Sequence, residues 1–222
     1  MPLLPAIELE TRPTPDSTVI WLHGLGADGH DFAPIVPQLG LPEKAAVRFI
    51  FPHAPAMPVT VNGGYVMPAW YDILEMQIDR RVDSTGLLAS AAAINAFIDR
   101  ELERGIDSRR IVVAGFSQGG AVAYQVALGH DKPLAGLLAM STYLATAETL
   151  DYKAVNKGIP ILIQHGEDDP VVPEQLGRKA ATRLVKEGYR VSYKSYPMEH
   201  GVCPAQIVDI GRWLATVLGF SG

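Results

Sequence analysis

Residues Gly115-Phe116-Ser117-Gln118-Gly119 are preceded by the apolar, β-branched run Ile111-Val112-Val113-Ala114 and followed by Ala121 to Leu128, a stretch of helix-forming composition. The order is strand, sharp turn, helix. A serine at such a turn sits in a strained backbone conformation that lifts its hydroxyl clear of a sheet, and glycines two residues to either side relieve the crowding. The pentapeptide alone is a weak sign, because glycine-rich strand-to-helix connections are common. Its flanks give it weight: they demand a buried strand feeding a helix, and so an α/β fold.

The rest of the chain supplies that fold. A β-rich run, Thr18 to Leu22, ends at His23-Gly24-Leu25-Gly26-Ala27-Asp28-Gly29, after which Asp31 is expected to cap a helix through about Leu39. Val47 to Phe51 is a second strand, and the segment from Pro52 to about Arg80 is proline-rich, aromatic and aperiodic, a loop long enough to expect function of it. From Ser84 to Glu103 apolar residues recur at helical spacing. Leu134 to Met140 and Ile159 to Gln164 are continuous apolar runs that suit strands covered on both faces, with Pro160 confined to a strand start. Pro173 opens a helix to about Glu187, Tyr189 to Tyr196 alternates as a strand, and Pro204 to Leu218 reads as the closing helix. Strands and helices alternating in this rhythm predict a doubly wound, mostly parallel sheet with helices on both faces.

With 222 residues, 48% of them hydrophobic, the chain can bury the core of one α/β domain spanning 1–222. A net charge of -5 without any basic stripe leaves no footprint for a nucleic-acid partner. The first eight residues have no basic n-region, and no apolar run approaches a membrane span, so neither a secretory leader nor a stable membrane anchor is expected. The single cysteine, Cys203, fits a reducing compartment and a cytoplasmic location.

A serine hydroxyl needs a base within hydrogen-bond reach and a third group to fix that base's tautomer. In parallel α/β sheets these come from loops at the carboxyl ends of strands. His200 follows the last strand, and the acidic trio Glu167, Asp168 and Asp169 follows the strand ending at Gln164. Serine, acid, histidine is the chain order of α/β hydrolases. An oxyanion intermediate needs preorganised donors, for which the backbone N–H groups of Gln118 and of Leu25, between two glycines, are placed. His23 is a competing base, though its imidazole is better suited to bracing its loop. His53 and His165 lack metal-ligand spacing, so no metal is expected. Cys203 has no strand-turn-helix setting and reads as a small packed hydrophobe.

On these residues the chain resembles the phospholipase/carboxylesterase family, which includes acyl-protein thioesterases and small bacterial carboxylesterases. The resemblance is carried by His23 to Asp28, Pro58 to Gly64 with Met67 to Ile73, Gly115 to Gly120, and Asp169 to Pro173. It implies an α/β-hydrolase fold with little or no lid, acting without cofactor on a small-molecule ester or lipid-like substrate, with homodimers frequent among small bacterial relatives. It puts Ser117, Asp169 and His200 at the triad positions and Leu25 and Gln118 at the oxyanion hole. The Trp70 loop, with Met67 and Ile73, is implied as substrate-binding. Pro170 favours Asp169 over its neighbours, because proline biases its predecessor towards an extended conformation. The expectation is a serine carboxylesterase for short to medium acyl chains. Acyl-protein thioesterase and lysophospholipase are alternatives within the class, a serine aminopeptidase a further one, and a catalytically silent binding protein the alternative outside it.

Overall fold

The computed structural model describes residues 3–74 and 82–220. Among the described residues, nine strands and four α-helices follow in the order β1 (Ala6–Glu10), β2 (Ser17–Leu22), β3 (Val47–Pro52), β4 (Ala56–Val59), β5 (Tyr65–Pro68), α1 (Ser84–Glu103), β6 (Ile111–Phe116), α2 (Gln118–Gly129), β7 (Gly136–Met140), β8 (Pro160–Gly166), α3 (Glu174–Lys186), β9 (Arg190–Tyr196) and α4 (Pro204–Val217). Seven strands form one sheet in the order β1-β3-β2-β6-β7-β8-β9. All its neighbours are parallel except β1 with β3. This is the mostly parallel sheet that the alternating pattern predicted, in the α/β-hydrolase architecture that the resemblance implied.

Strand alternation divides the core in two. Ile20, Leu22, Val113 and Leu137 face α1 and α2, whereas Val19, Trp21, Val112 and Leu138 face α4 on the other side. Helix α1 shows why the layer is firm. Its Leu87, Ile94, Phe97 and Ile98 are fully covered, and at about 1.5–3 kcal/mol for each such side chain they fix which way the helix faces. Asp83 caps its start by accepting the Gly86 N–H.

Three local expectations are corrected. Asp31 caps no helix: the segment Ala33–Leu39 is a 3-10 helix with Phe32 at its N-cap, and Pro37 within it removes the donor an α-turn would require. The Pro52–Arg80 stretch is not wholly aperiodic, for β4 and β5 form an antiparallel hairpin that pairs Val59 with Tyr65. Residues 75–81 of that stretch lie outside the described residues. Strand β1, unread in the sequence, closes the sheet edge. Its Glu8 and Glu10 meet Arg48 and Arg100, and Arg48, Arg100 and Arg104 converge on Glu101, whose side chain is fully buried.

Candidate active site

The turn between β6 and α2 has the strain its sequence implied. Ser117 takes φ 53° and ψ -120°, a sparsely populated region that costs on the order of 1–3 kcal/mol and persists only when neighbours enforce it. They do so here. The Ser117 N–H donates to Met140 O at 2.9 Å, and Thr142 Oγ1 donates to Ser117 O at 2.6 Å. The flanking glycines are needed for space. A Cβ on Gly119 would lie 2.7 Å from Leu22 O and closer still to His23 O, and one on Gly115 would lie 2.7 Å from the Gly120 Cα. Helix α2 therefore starts hard against the end of β2.

His200 lies in the loop after β9, and its Nε2 stands 3.0 Å from Ser117 Oγ. On its other side Nδ1 is 2.6 Å from Asp169 Oδ2. A carboxylate oxygen can only accept, so Nδ1 carries the hydrogen and Nε2 offers its lone pair to the serine hydroxyl. The Phe116 ring, 4.8 Å from the imidazole centroid to centroid, backs the histidine. Asp169 is buried, and its Oδ1 accepts the Val171 and Val172 N–H groups at 2.9 and 2.8 Å. Burial pushes its carboxyl up, but the His200 hydrogen bond and these two N–H groups outweigh that and hold it below the usual carboxylate range. Its neighbours are turned away: Asp168 and Glu167 are exposed, and Glu167 accepts from Ser195 Oγ.

The backbone N–H groups of Leu25 and Gln118 are not consumed by hydrogen bonds among the described residues. The register that pairs Leu22 with Gly115 brings their two loops together. His23 is spoken for. Its Nε2 accepts the Ala54 N–H, so Nδ1 is protonated and donates to Gly24 O at 2.7 Å. Burial lowers its pKa, and the ring stays neutral as a brace for the Leu25 loop.

Ser117 is 9% exposed and is reached through a cavity of about 330 Å³ lined by Leu25, Asp31, Ile73, Phe116, Tyr143, Val171, Val172 and His200. A second hollow of about 360 Å³ shares Tyr143 and continues past Leu144, Leu176 and Ala180. Of the three residues expected to line the substrate cavity, Ile73 does so, and Trp70 and Met67 are not on its wall. Trp70 is a correction with a clear cause: its indole is buried and donates to His23 O at 2.9 Å, while its own N–H donates to Gln118 Oε1 at 2.8 Å. It ties the loop after β2 to the start of α2. Tyr143 and Val172 were missed, although both follow carboxyl ends of strands, the signal that pointed to the other candidates.

Asp28, His30 and His53 come within 4.8 Å of one another, a grouping their sequence spacing did not suggest. His53 Nδ1 already accepts the Gly29 N–H at 3.1 Å, and His30 Nδ1 is paired with Asp28. Cys203 is half-buried ahead of α4. Among the described residues, no helix is long and apolar enough to cross a membrane.

The family described as Phospholipase/Carboxylesterase matches residues 5–218. Acyl-protein thioesterase 1 of Neurospora crassa is 40% identical over 96% of this chain and 89% of its own length. Acyl-protein thioesterase 1 of Cryptococcus neoformans is 35% identical over 96% and 97%. Among solved structures, acyl-protein thioesterase 2 of Zea mays superposes with a TM-score of 0.87 at 29% identity, covering 97% of this chain and 100% of that one. SOBER1 of Arabidopsis thaliana gives 0.84 at 30% identity, over 91% and 99%.

Proposed function

This chain belongs to the phospholipase/carboxylesterase family, a serine hydrolase of thioesterase or esterase type, and we propose that it cleaves carboxylic esters of short to medium acyl chains through an acyl-Ser117 intermediate. The reading rests on one observation, the unbroken hydrogen-bonded line Ser117 Oγ, His200, Asp169 at the floor of an apolar cavity.

In this reading His200 Nε2 removes the Ser117 proton as Oγ attacks the acyl carbonyl carbon, and Asp169 stabilises the imidazolium that results. The Leu25 and Gln118 N–H groups receive the negative charge that develops on the carbonyl oxygen. The carbon–oxygen bond to the leaving group then breaks, and Nε2–H protonates the departing alkoxide. A water molecule, deprotonated by the same nitrogen, attacks the acyl-serine and releases the carboxylic acid with the serine restored. No cofactor enters, and the expected setting is cytoplasmic.

Relatives named acyl-protein thioesterase at 35–40% identity favour a second reading, in which the leaving group is a thiolate. One panel tests both. Nitrophenyl esters, thioesters and amides of the same acyl group are to be compared by kcat/KM in wild type and Ser117→Ala. Ser117-dependent ester cleavage supports the first reading, a thioester preference of tenfold or more selects the second (about 1.4 kcal/mol in transition-state binding), and an amide preference overturns both.

A further inference from the structure

Of the buried histidines that this mechanism does not use, the one beside the acid is the most completely covered. His165, at the end of β8, is fully covered, and its Nε2 lies 2.7 Å from Val172 O. A carbonyl only accepts, so Nε2 carries the ring hydrogen and donates it there. The same residue, through its N–H, holds Asp169 Oδ1 at 2.8 Å. His165 Nε2 is also 3.6 Å from Asp169 Oδ2, the oxygen that receives His200 Nδ1–H. That separation is too long for a hydrogen bond. The bond to Val172 therefore does two things: it fixes the loop that aims Asp169, and it keeps the His165 N–H from competing with His200 for Oδ2.

A role in packing alone explains the site poorly. His165 Nδ1 is buried with no partner among the described residues, a cost that a hydrocarbon side chain of similar size would avoid. The ring is also held from behind. A Cβ on Gly177 in α3 would lie 3.1 Å from His165 Cε1 and closer still to Nδ1. Burial lowers the His165 pKa, so the ring remains the neutral, single-proton donor that this arrangement needs.

We infer that His165 is a positioning residue that sets the aim of Asp169 on His200, an inference that rests on the serine-hydrolase reading above. Three variants test it. His165→Leu removes the donor, His165→Gln keeps an N–H able to reach the Nε2 position, and Gly177→Ala retains the histidine but pushes its ring, and the Nε2–H with it, out of place. His165→Leu and Gly177→Ala should lower kcat about 10- to 100-fold with KM nearly unchanged, the scale expected when a catalytic geometry is misaligned by about 1 Å. His165→Gln should recover most of that loss. The low-field proton resonance of the His200 Nδ1–H···Asp169 hydrogen bond, read without substrate, should weaken or shift in the first two variants and persist in the third.

Unchanged kcat in His165→Leu, an equal loss in His165→Gln, or an undisturbed resonance in the impaired variants would overturn the inference. If His165→Leu does not fold, the Gly177→Ala and His165→Gln pair decides by the same two readouts. Should the wild type show no Ser117-dependent hydrolysis, the functional reading fails on its own, and the resonance still reports whether His165 aims Asp169.

Discussion

Replacing Asp169 by asparagine isolates the carboxylate's contribution with little change of shape. Asparagine Oδ1 can still accept the Val171 and Val172 N–H groups, so the loop keeps its two anchors. The amide NH2 then stands where Oδ2 stood, 2.6 Å from His200 Nδ1, and two donors cannot face each other. The imidazole must move its hydrogen to Nε2, which points an N–H at Ser117 Oγ, 3.0 Å away, and removes the lone pair that accepts the serine proton. By analogy with other serine triads, turnover should fall roughly 10³- to 10⁴-fold, or about 4–5.5 kcal/mol in the barrier. Stability should fall less, by about 1.5–3 kcal/mol for one charge-assisted hydrogen bond. Its pH dependence follows from the lowered Asp169 pKa. A carboxyl depressed on folding stabilises the fold above the unfolded carboxylate range and loses that contribution as pH falls, so the gap in melting temperature between wild type and Asp169→Asn should be full near neutrality and close in acid. Nitrophenyl ester turnover and thermal melts on both variants, with the exposed Asp168→Asn as control, measure all of this. If Asp169→Asn keeps more than a tenth of wild-type turnover, or if Asp168→Asn is the crippled variant, the assignment of the acid is wrong.

Ser117→Ala should fold with nearly wild-type stability and lose essentially all hydrolysis, and a fluorophosphonate should add once to the wild-type chain, at Ser117 by mass spectrometry. Gly119→Ala forces a methyl against Leu22 O and His23 O and should cost about 2–3 kcal/mol by chemical denaturation. It should also lower kcat/KM by at least tenfold, because the Leu25 loop moves with it. Glu101→Gln leaves Arg48, Arg100 and Arg104 facing a neutral, fully buried partner. That should destabilise the chain by about 3 kcal/mol, a drop of roughly 6–12 °C in Tm, with kcat unchanged because the cluster is remote from Ser117.

What could be read from the sequence was whatever a residue's own neighbours dictate. Ser117 was legible because a β-branched run, two glycines and a helix-forming stretch enclose it, and the strained φ of 53° follows from that local pattern. Asp169 and His200 were candidates because carboxyl ends of strands are few, but within the acidic trio it was the family resemblance, with Pro170 in support, that pointed to Asp169. Trp70 was misread because an aromatic in a long loop next to a site can line a cavity or lie beneath it, and only the partner on β2's end, His23 O, decides which. The 3-10 segment at Ala33–Leu39 departs from the expected helix for a local reason, since Pro37 overrides the capping signal at Asp31. The Asp28, His30 and His53 grouping depends on the parallel pairing of β2 with β3, which carries no mark in either strand alone.

Sheet order explains why these distant residues can cooperate at all. Strand β6 lies between β2 and β7, so the serine turn has the Leu25 loop on one side and, beyond β7, the Asp169 and His200 loops of β8 and β9 on the other. In the proposed reaction the Ser117 oxygen would thus have near it both the N–H groups that receive negative charge and, 3.0 Å away, the nitrogen that takes the proton. Every strand involved in this runs in the same direction, which brings all four loops to one edge. Reversing any one of those strands would carry its loop to the far edge, across the full length of a strand. The strain at Ser117 is tolerable for the same reason. Met140 O and Thr142 Oγ1, at the neighbouring end of β7, hold its backbone N–H and carbonyl, and the parallel alignment that gathers the site also supplies the two bonds that keep its serine in place.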